Sequence, residues 1–431
     1  MNNKINQYLY TDMASELLQS AQRNHAHAIG HSGNPLHDSG MDYSERYYRH
    51  IRREKLVIAS KEASDMLGKS IGTYYTVHTD DLRFLSEEDL LSSKAALHDC
   101  IFDAVSQLCP DFQIPMDETK NNTVGDTTAD FGFDKGKVLC TSIDDPGKEA
   151  WDRLAVSPEW AQEGHLYNAP IAAMLHDSAA DTIRAEGEPF VSVNDESSTV
   201  TDIPPAPLSE QTPPRPMPVL AVGLGNPALT TDALGPMCVS HLHVTRHIVD
   251  MSSQDIPLDG IMHRLCAITP LVLGKTGIET LDLVRGAVQA VHPDLVILID
   301  ALAASELGSL AKTIQISTTG ISPGGGVGNK RQPLDRETLG VPVMTVGVPT
   351  VVAASTLIYR ALEGAGILEQ DDCLNTDQKE LLHRALASAD VGYVAPKDID
   401  ESMTVFSRLL AQTINELVLG PKLAASFGTS F

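Results

Sequence analysis

Apolar positions along this chain fall into two regimes. From residue 218 they come in unbroken runs, as strands buried on both faces require: PVLAVGLG (218–225), PDLVILIDALAA (293–304) and VPVMTVGVPTVV (341–352). HRLCAITPLVLG (263–274) and KTIQIST (312–318) also read as strands. Between and after them, apolar residues recur at helical spacing. GPMCVSHLHVTRHIVD (235–250), TGIETLDLVRGAVQAV (276–291, capped by Thr276), TVVAASTLIYRALEG (350–364) and MTVFSRLLAQTINELVL (403–419) predict helices. Strand and helix alternate from 218 to 365. That order predicts an α/β fold, a three-layer α/β/α sandwich around a mainly parallel twisted sheet.

Before residue 218 the pattern is looser. A helix is expected over 12–30, with Thr11 or Asp12 as its cap, because a short side-chain oxygen can take up an orphan N–H. Residues 24–46, rich in His, Gly, Ser and Asn, read as a loop. REKLVIAS (53–60) and TYYTVHT (73–79) read as strands, with a helix end and turn at SDMLGKSIG between them. Residues 86–108 form a helical pattern opened by an S-x-x-D cap. From about 117 to 216 the chain turns acidic and ends in a Pro-, Ser- and Thr-rich stretch. This segment is expected to be a partly disordered insertion, with some order around Trp151 and Trp160.

Charge narrows the class. The 431 residues carry a formal net charge of -25, which speaks against a nucleic-acid-binding surface. The six cysteines are scattered, with no CxxC, so neither a disulfide framework nor a zinc ribbon is suggested. No signal-peptide core and no membrane-length apolar run is present, so a cytoplasmic protein away from the membrane is expected.

Ligands in open parallel sheets sit beyond the carboxyl ends of the strands. Two such ends carry carboxylates. The run 218–225 leads into NPALTTDALGP with Asp232, and LVILID ends on Asp300. A carboxylate there costs desolvation unless it is partnered or wet, and many such groups only cap the next helix. Paired, the two have a chemistry: one pKa rises, so one group can give a proton while the other activates water, or both can ligate a metal that does so. GISPGGGVGNKR (320–331) lacks the Gly-Lys-Ser/Thr of a phosphate loop. It reads as a flexible loop, or as one whose backbone at Gly324, Gly325 and Gly326 approaches a peptide closely, with Lys330 and Arg331 as local positive charge. GLGNPA (223–228) is a weak dinucleotide pattern without its acidic ribose partner. His241, His243 and His247 offer possible metal ligands, but no Glu completes a zincin motif.

The stretches VGLGNPALTTDALGP, TRHI, GKTGIETLDLVRGAV, PDLVILIDALAA, TIQISTTGISPGGGVGNKR and TLGVPVMTVGVPTVV resemble the germination protease family of endospore-forming bacteria, with weaker similarity at 8–20, 52–83 and 394–419. The acidic segment has no counterpart in the family pattern. The resemblance implies an endopeptidase that degrades small acid-soluble spore proteins in the spore core during germination. It implies a homotetrameric zymogen that removes its own propeptide, an aspartic-type mechanism through Asp232 and Asp300 with no cofactor, and a fold like the hydrogenase-maturation peptidases. It divides the chain into a propeptide (1–12), the N-terminal part of the peptidase domain (13–116), the insertion (117–216) and the main core with C-terminal helices (217–431). Family substrates carry an acidic residue at the cut, then a hydrophobic residue, then Ala-Ser-Glu, so TDMASELL (11–18) reads as an internal copy cut between Asp12 and Met13. An acidic residue there wants a basic pocket, for which Arg246, Lys330 and Arg331 are candidates. A metal-dependent maturation peptidase of the same fold, or an inactive peptide-binding relative, are the alternatives.

Overall fold

A computed structural model describes residues 10–28, 40–113, 216–247, 263–324, 331–365, 376–389 and 392–426. The expected insertion at 117–216 lies outside the described residues, its last residue apart, as do residues 1–9 and the loop positions Gly325, Gly326 and Lys330. The chain divides into two units. The described residues belong to the one formed by Met1–Ala129 and Pro214–Ser430.

Its elements run α1 (Ala14–Ala28), β1 (Met41–Tyr48), β2 (Ile51–Ile58), α2 (Lys61–Leu67), β3 (Gly72–His78), α3 (Glu87–Leu108), β4 (Pro218–Gly223), α4 (Leu234–Ser240) and β5 (Arg264–Ile268). Then come α5 (Leu273–Thr276), α6 (Thr280–Val291), β6 (Leu295–Ala304), β7 (Thr313–Ser317), α7 (Arg336–Leu339), β8 (Val343–Ala353), α8 (Ala354–Gly364), α9 (Thr376–Ala389), β9 (Tyr393–Val394), α10 (Ile399–Leu419) and α11 (Pro421–Ser426).

One sheet takes all nine described strands, in the order β1-β2-β3-β7-β8-β6-β4-β5, with β9 on the end of β8. It is mixed rather than mainly parallel. β5, β4, β6 and β8 run parallel, as their buried apolar runs predict; every other pairing is antiparallel. The difference has a local cause. β1 and β2 form a tight hairpin through Tyr48 and Ile51, so the chain reverses without a helical crossover. Met41 opens β1 inside the stretch expected to be loop, and pairs with Ile58.

Other expectations shift at their edges. The helix expected over 235–250 stops at Ser240, because Thr245 is drawn onto β5: its amide donates to the Leu265 carbonyl at 2.9 Å. The strand expected over 263–274 ends at Ile268. Thr276 closes the short α5 instead of capping the next helix, whose N-cap is Glu279. Ser86 caps α3 as its spacing predicts, its hydroxyl accepting from the Asp89 amide.

Packing follows the period of two. Leu220 and Val222 of β4 join Val296 and Leu298 of β6 and Leu281, Val284 and Val288 of α6 in one apolar cluster. On β4, Gly223 has no side chain where α4 crosses: a Cβ there would stand 2.3 Å from the Gly235 carbonyl oxygen. α10 packs on α4 and α3. The two glycines let α4 press onto β4 and β6, which sets where the loop carrying Asp232 enters the sheet.

Candidate active site

β6 outlasts its neighbour. β4 pairs with it from Val219 to Gly223, and the Leu224 amide adds a last bond to the Ile299 carbonyl at 2.8 Å. Beyond that, β6 continues to Ala304 with no β4 beside it. Successive odd residues present their backbone groups to the same edge. At Ala303 that edge is met by the N-terminal segment: the Asp12 amide donates to the Ala303 carbonyl at 2.8 Å, and the Ala303 amide donates to the Asp12 carboxylate at 2.9 Å. Two residues on, the Ser305 amide donates to the Glu16 carboxylate at 2.6 Å. Ala301 lies between the β4 contact and the Asp12 contact, and there the sheet opens into a cavity.

This cavity, about 310 Å³, is lined by Asp12, Asp232, Asp300, Ala301, Gly324 and Arg331, among others. Asp300 sits on β6 itself, buried, with its carboxylate taking the Ala301 amide at 3.0 Å. Asp232 ends the short 3-10 turn Thr230–Asp232. Its carboxylate and its carbonyl both accept the Asn226 amide, at 2.9 and 3.0 Å, which closes the loop after β4. Gly225, at φ 112, permits that closure: a Cβ would fall 2.0 Å from the Asp232 carbonyl oxygen. The Thr350 hydroxyl of β8 donates to the Thr231 carbonyl at 2.6 Å and ties the loop to the central strands.

Burial dominates the electrostatics. It raises the Asp232 carboxyl to about 6, against the lowering effect of the Asn226 amide. It holds Asp300 well above the ordinary carboxylate range, and the negative charges of Asp232 and then Asp12 push it further the same way. Two carboxyls at one site with separated affinities for protons can divide the roles of acid and base.

The N-terminal segment is fixed by more than Asp12. Asp12 does not open the helix as a cap; α1 begins at Ala14, and the Met13 amide is taken by the Thr11 hydroxyl at 3.0 Å. Met13 is fully buried against Leu302, Ala304, Leu310 and Val352. Glu16, also buried, accepts from Thr11, from the amide and hydroxyl of Ser305, and from Ser309, all at 2.6–2.8 Å. A buried carboxylate is tolerated when so many donors converge on it. Ser305 and Ser309 were not legible as site residues, because nothing local distinguishes them from other loop serines.

Of the basic candidates, Arg331 is at the cavity; it also lies 4.0 Å from the Glu279 carboxylate, a loose ion pair. Arg246 is not among the lining residues. It follows Thr245 at the β5 edge, toward the amino ends of the parallel strands. Gly324 lines the cavity at φ 70. Among the described residues no group of three or more His, Cys, Asp or Glu could hold a metal ion, and the His243 amide and the His241 carbonyl are tied to Asn415 on α10.

The profile of the germination protease family matches residues 209–364. The chain is similar to the germination protease of Clostridium acetobutylicum, 42% identical over 224 residues that cover 49% of this chain and 68% of the relative. It is similar to that of Clostridium perfringens (strain ATCC 13124) at 41% over 218 residues, 47% of this chain and 66% of the relative. To that of Bacillus subtilis it is 39% identical over 235 residues, 48% of this chain and 61% of the relative. No helix among the described residues is long and apolar enough to cross a membrane.

Proposed function

The chain belongs to the germination protease family and is a peptidase, and from that premise we propose that it is an endopeptidase of spore germination which first cuts itself after Asp12. The observation that carries the reading is that Asp12 lines the same cavity as Asp232 and Asp300. Asp232, with the lower proton affinity, acts as base. It takes a proton from water as the water oxygen bonds to the Asp12 carbonyl carbon, and the C=O pair moves to oxygen. When the tetrahedral centre collapses, the bond to the Met13 nitrogen breaks and Asp300 supplies its proton to that nitrogen. Water and the peptide bond are thereby converted to an α-carboxylate on Asp12 and an amine on Met13, and the proton on Asp232 returns the pair to its starting state through solvent.

Met13 occupies an apolar socket, Glu16 a polar one. Substrates in trans are proposed to place a hydrophobic residue and a glutamate in these two sockets, as small acid-soluble spore proteins would under the family resemblance. Residues 1–12 act as the propeptide of a zymogen that assembles as a homotetramer in the forespore and spore core. Residues 13–116 and 217–431 form one peptidase core interrupted by 117–216, its helices making the outer layers of an α/β/α sandwich like that of the hydrogenase-maturation peptidases.

A synthetic peptide spanning residues 8–20 tests the reading. The wild-type protein is expected to split it between the Asp and the Met, and Asp300→Asn is expected to leave it whole. Hydrolysis at another bond, or equal hydrolysis by the variant, contradicts it.

A further inference from the structure

The Asp12 carbonyl oxygen faces Lys69, just after α2, and Gln315 of β7. It accepts two side-chain hydrogen bonds, from Lys69 Nζ at 2.7 Å and from Gln315 Nε2 at 2.9 Å. We propose that Lys69 and Gln315 are catalytic residues that receive the oxyanion formed when the Asp12–Met13 bond is hydrolysed, and do the same for peptide substrates bound in trans. The inference rests on the reading that this bond is the one cut.

Several observations carry it. The two donors stand on an oxygen whose neighbouring carbon is the reacting centre. They also stand in a second cavity, lined by Thr11, Asp12, Lys69, Tyr74 and Gln315 among others, while Asp232 and Asp300 line the first. Asp12 belongs to both. The carboxyls line the first cavity and the donors hold the carbonyl oxygen from the second, so water activated by the carboxyls can add to the carbon while charge collects on an oxygen already hydrogen-bonded.

Gln315 does more than donate. Its Oε1 accepts the Ala14 amide at 2.6 Å, so one buried carboxamide spans the scissile peptide from the carbonyl before it to the amide after Met13. Its own position is fixed within β7, opposite Gly347 of β8 and Thr76 of β3. Lys69 is delivered by the end of α2. Gly68 adopts a left-handed conformation at φ 63, and the Lys69 amide returns to the Ser64 carbonyl, a turn from which the side chain reaches the Asp12 carbonyl ahead of α1. Lys69 is half-buried, with its Nζ on the Asp12 carbonyl. Burial lowers its proton affinity, and the charges of Asp12 and Glu16 oppose that. A cation so placed gains more from a developing negative oxygen than from a neutral carbonyl, which is the condition for acceleration rather than mere binding.

The bonds could instead serve only to dock the segment, so the test separates docking from chemistry. Lys69→Met removes the cation; Gln315→Glu keeps an acceptor for Ala14 but loses the donor to Asp12. In each full-length variant, cleavage after Asp12 is followed by intact mass, docking by hydrogen exchange of amides 13–20, and turnover by hydrolysis of a peptide spanning residues 8–20. Lys69→Met is expected to slow self-cleavage on the order of 10²–10³-fold, with Lys69→Arg recovering part of the loss. Amide protection should hold in Gln315→Glu, and for the peptide kcat should fall while KM stays near wild type. Wild-type rates in both variants overturn the proposal, as does a loss of rate that follows loss of protection. A wild type that never cuts after Asp12 overturns the underlying reading and this one with it, a result distinguishable because it needs no variant.

Discussion

Asp12 and Ala303 exchange hydrogen bonds as neighbours in a ladder do, amide to carbonyl at 2.8 Å one way and amide to carboxylate at 2.9 Å the other. The N-terminal segment thus continues the edge that β4 leaves when it ends at Gly223. The consequence is positional. A peptide bond follows Asp12 beside a cavity that also holds Asp232 and Asp300.

If those two carboxyls share the work, each is indispensable. Asp232→Asn and Asp300→Asn should each lower self-cleavage by about 10²–10⁴-fold, the range expected for loss of a positioned acid or base. Rates from quantified gel bands over days suffice to measure it. Arg246→Ala, away from the cavity, should cut at close to the wild-type rate.

The pH profile should be a bell. Below about 6 the Asp232 carboxyl takes up a proton and its capacity as base is lost, so activity rises with pH through that value. The falling limb comes where Asp300 ionises. Asp12 raises the Asp300 affinity, and departure of residues 1–12 removes that charge. The falling limb of the processed enzyme should therefore lie at lower pH than that of self-cleavage. Rate measurements at matched ionic strength on both forms check the direction.

Burial of Asp300 has a cost to folding that depends on pH. Its folded pKa lies above its unfolded value, so the stability linked to its proton is full below the unfolded value and is lost as pH rises toward the folded one. Asp300→Asn removes that dependence. Its Tm should exceed wild type at pH 7, and the gap should close as the pH approaches 4.

Glu16 anchors the segment. Glu16→Ala leaves the Ser305 amide and two serine hydroxyls with a lost acceptor, and should weaken docking of α1 by about 3 kcal/mol. Limited proteolysis should then cut within 10–20 far faster than in wild type. Met13→Ala, which empties a fully buried socket, should act in the same direction by about 2–5 kcal/mol.

Much of this was legible in the sequence. Unbroken apolar runs such as 218–225 marked the parallel strands, and strand-end geometry then singled out Asp232 and Asp300, which the fold does bring to one cavity. The antiparallel half was less legible. β1, MDYSERYY, is mostly exposed and carries no apolar run, so only its pairing with β2 reveals it. Lys69 and Gln315 escaped notice for a related reason. One follows a helix cap and the other sits mid-strand, 246 positions further along the chain, and no local pattern joins residues that meet through the Asp12 carbonyl. Gly225 and Gly235 were visible as glycines, but the close approach of backbone that requires them is a tertiary fact.

The most direct test is the N-terminal sequence and intact mass of purified protein held near pH 6, beside Asp232→Asn and Asp300→Asn. The account predicts a new N-terminus at Met13 in the wild type and an intact chain in both variants. A wild type that stays whole, or variants that release the same fragment, would contradict it.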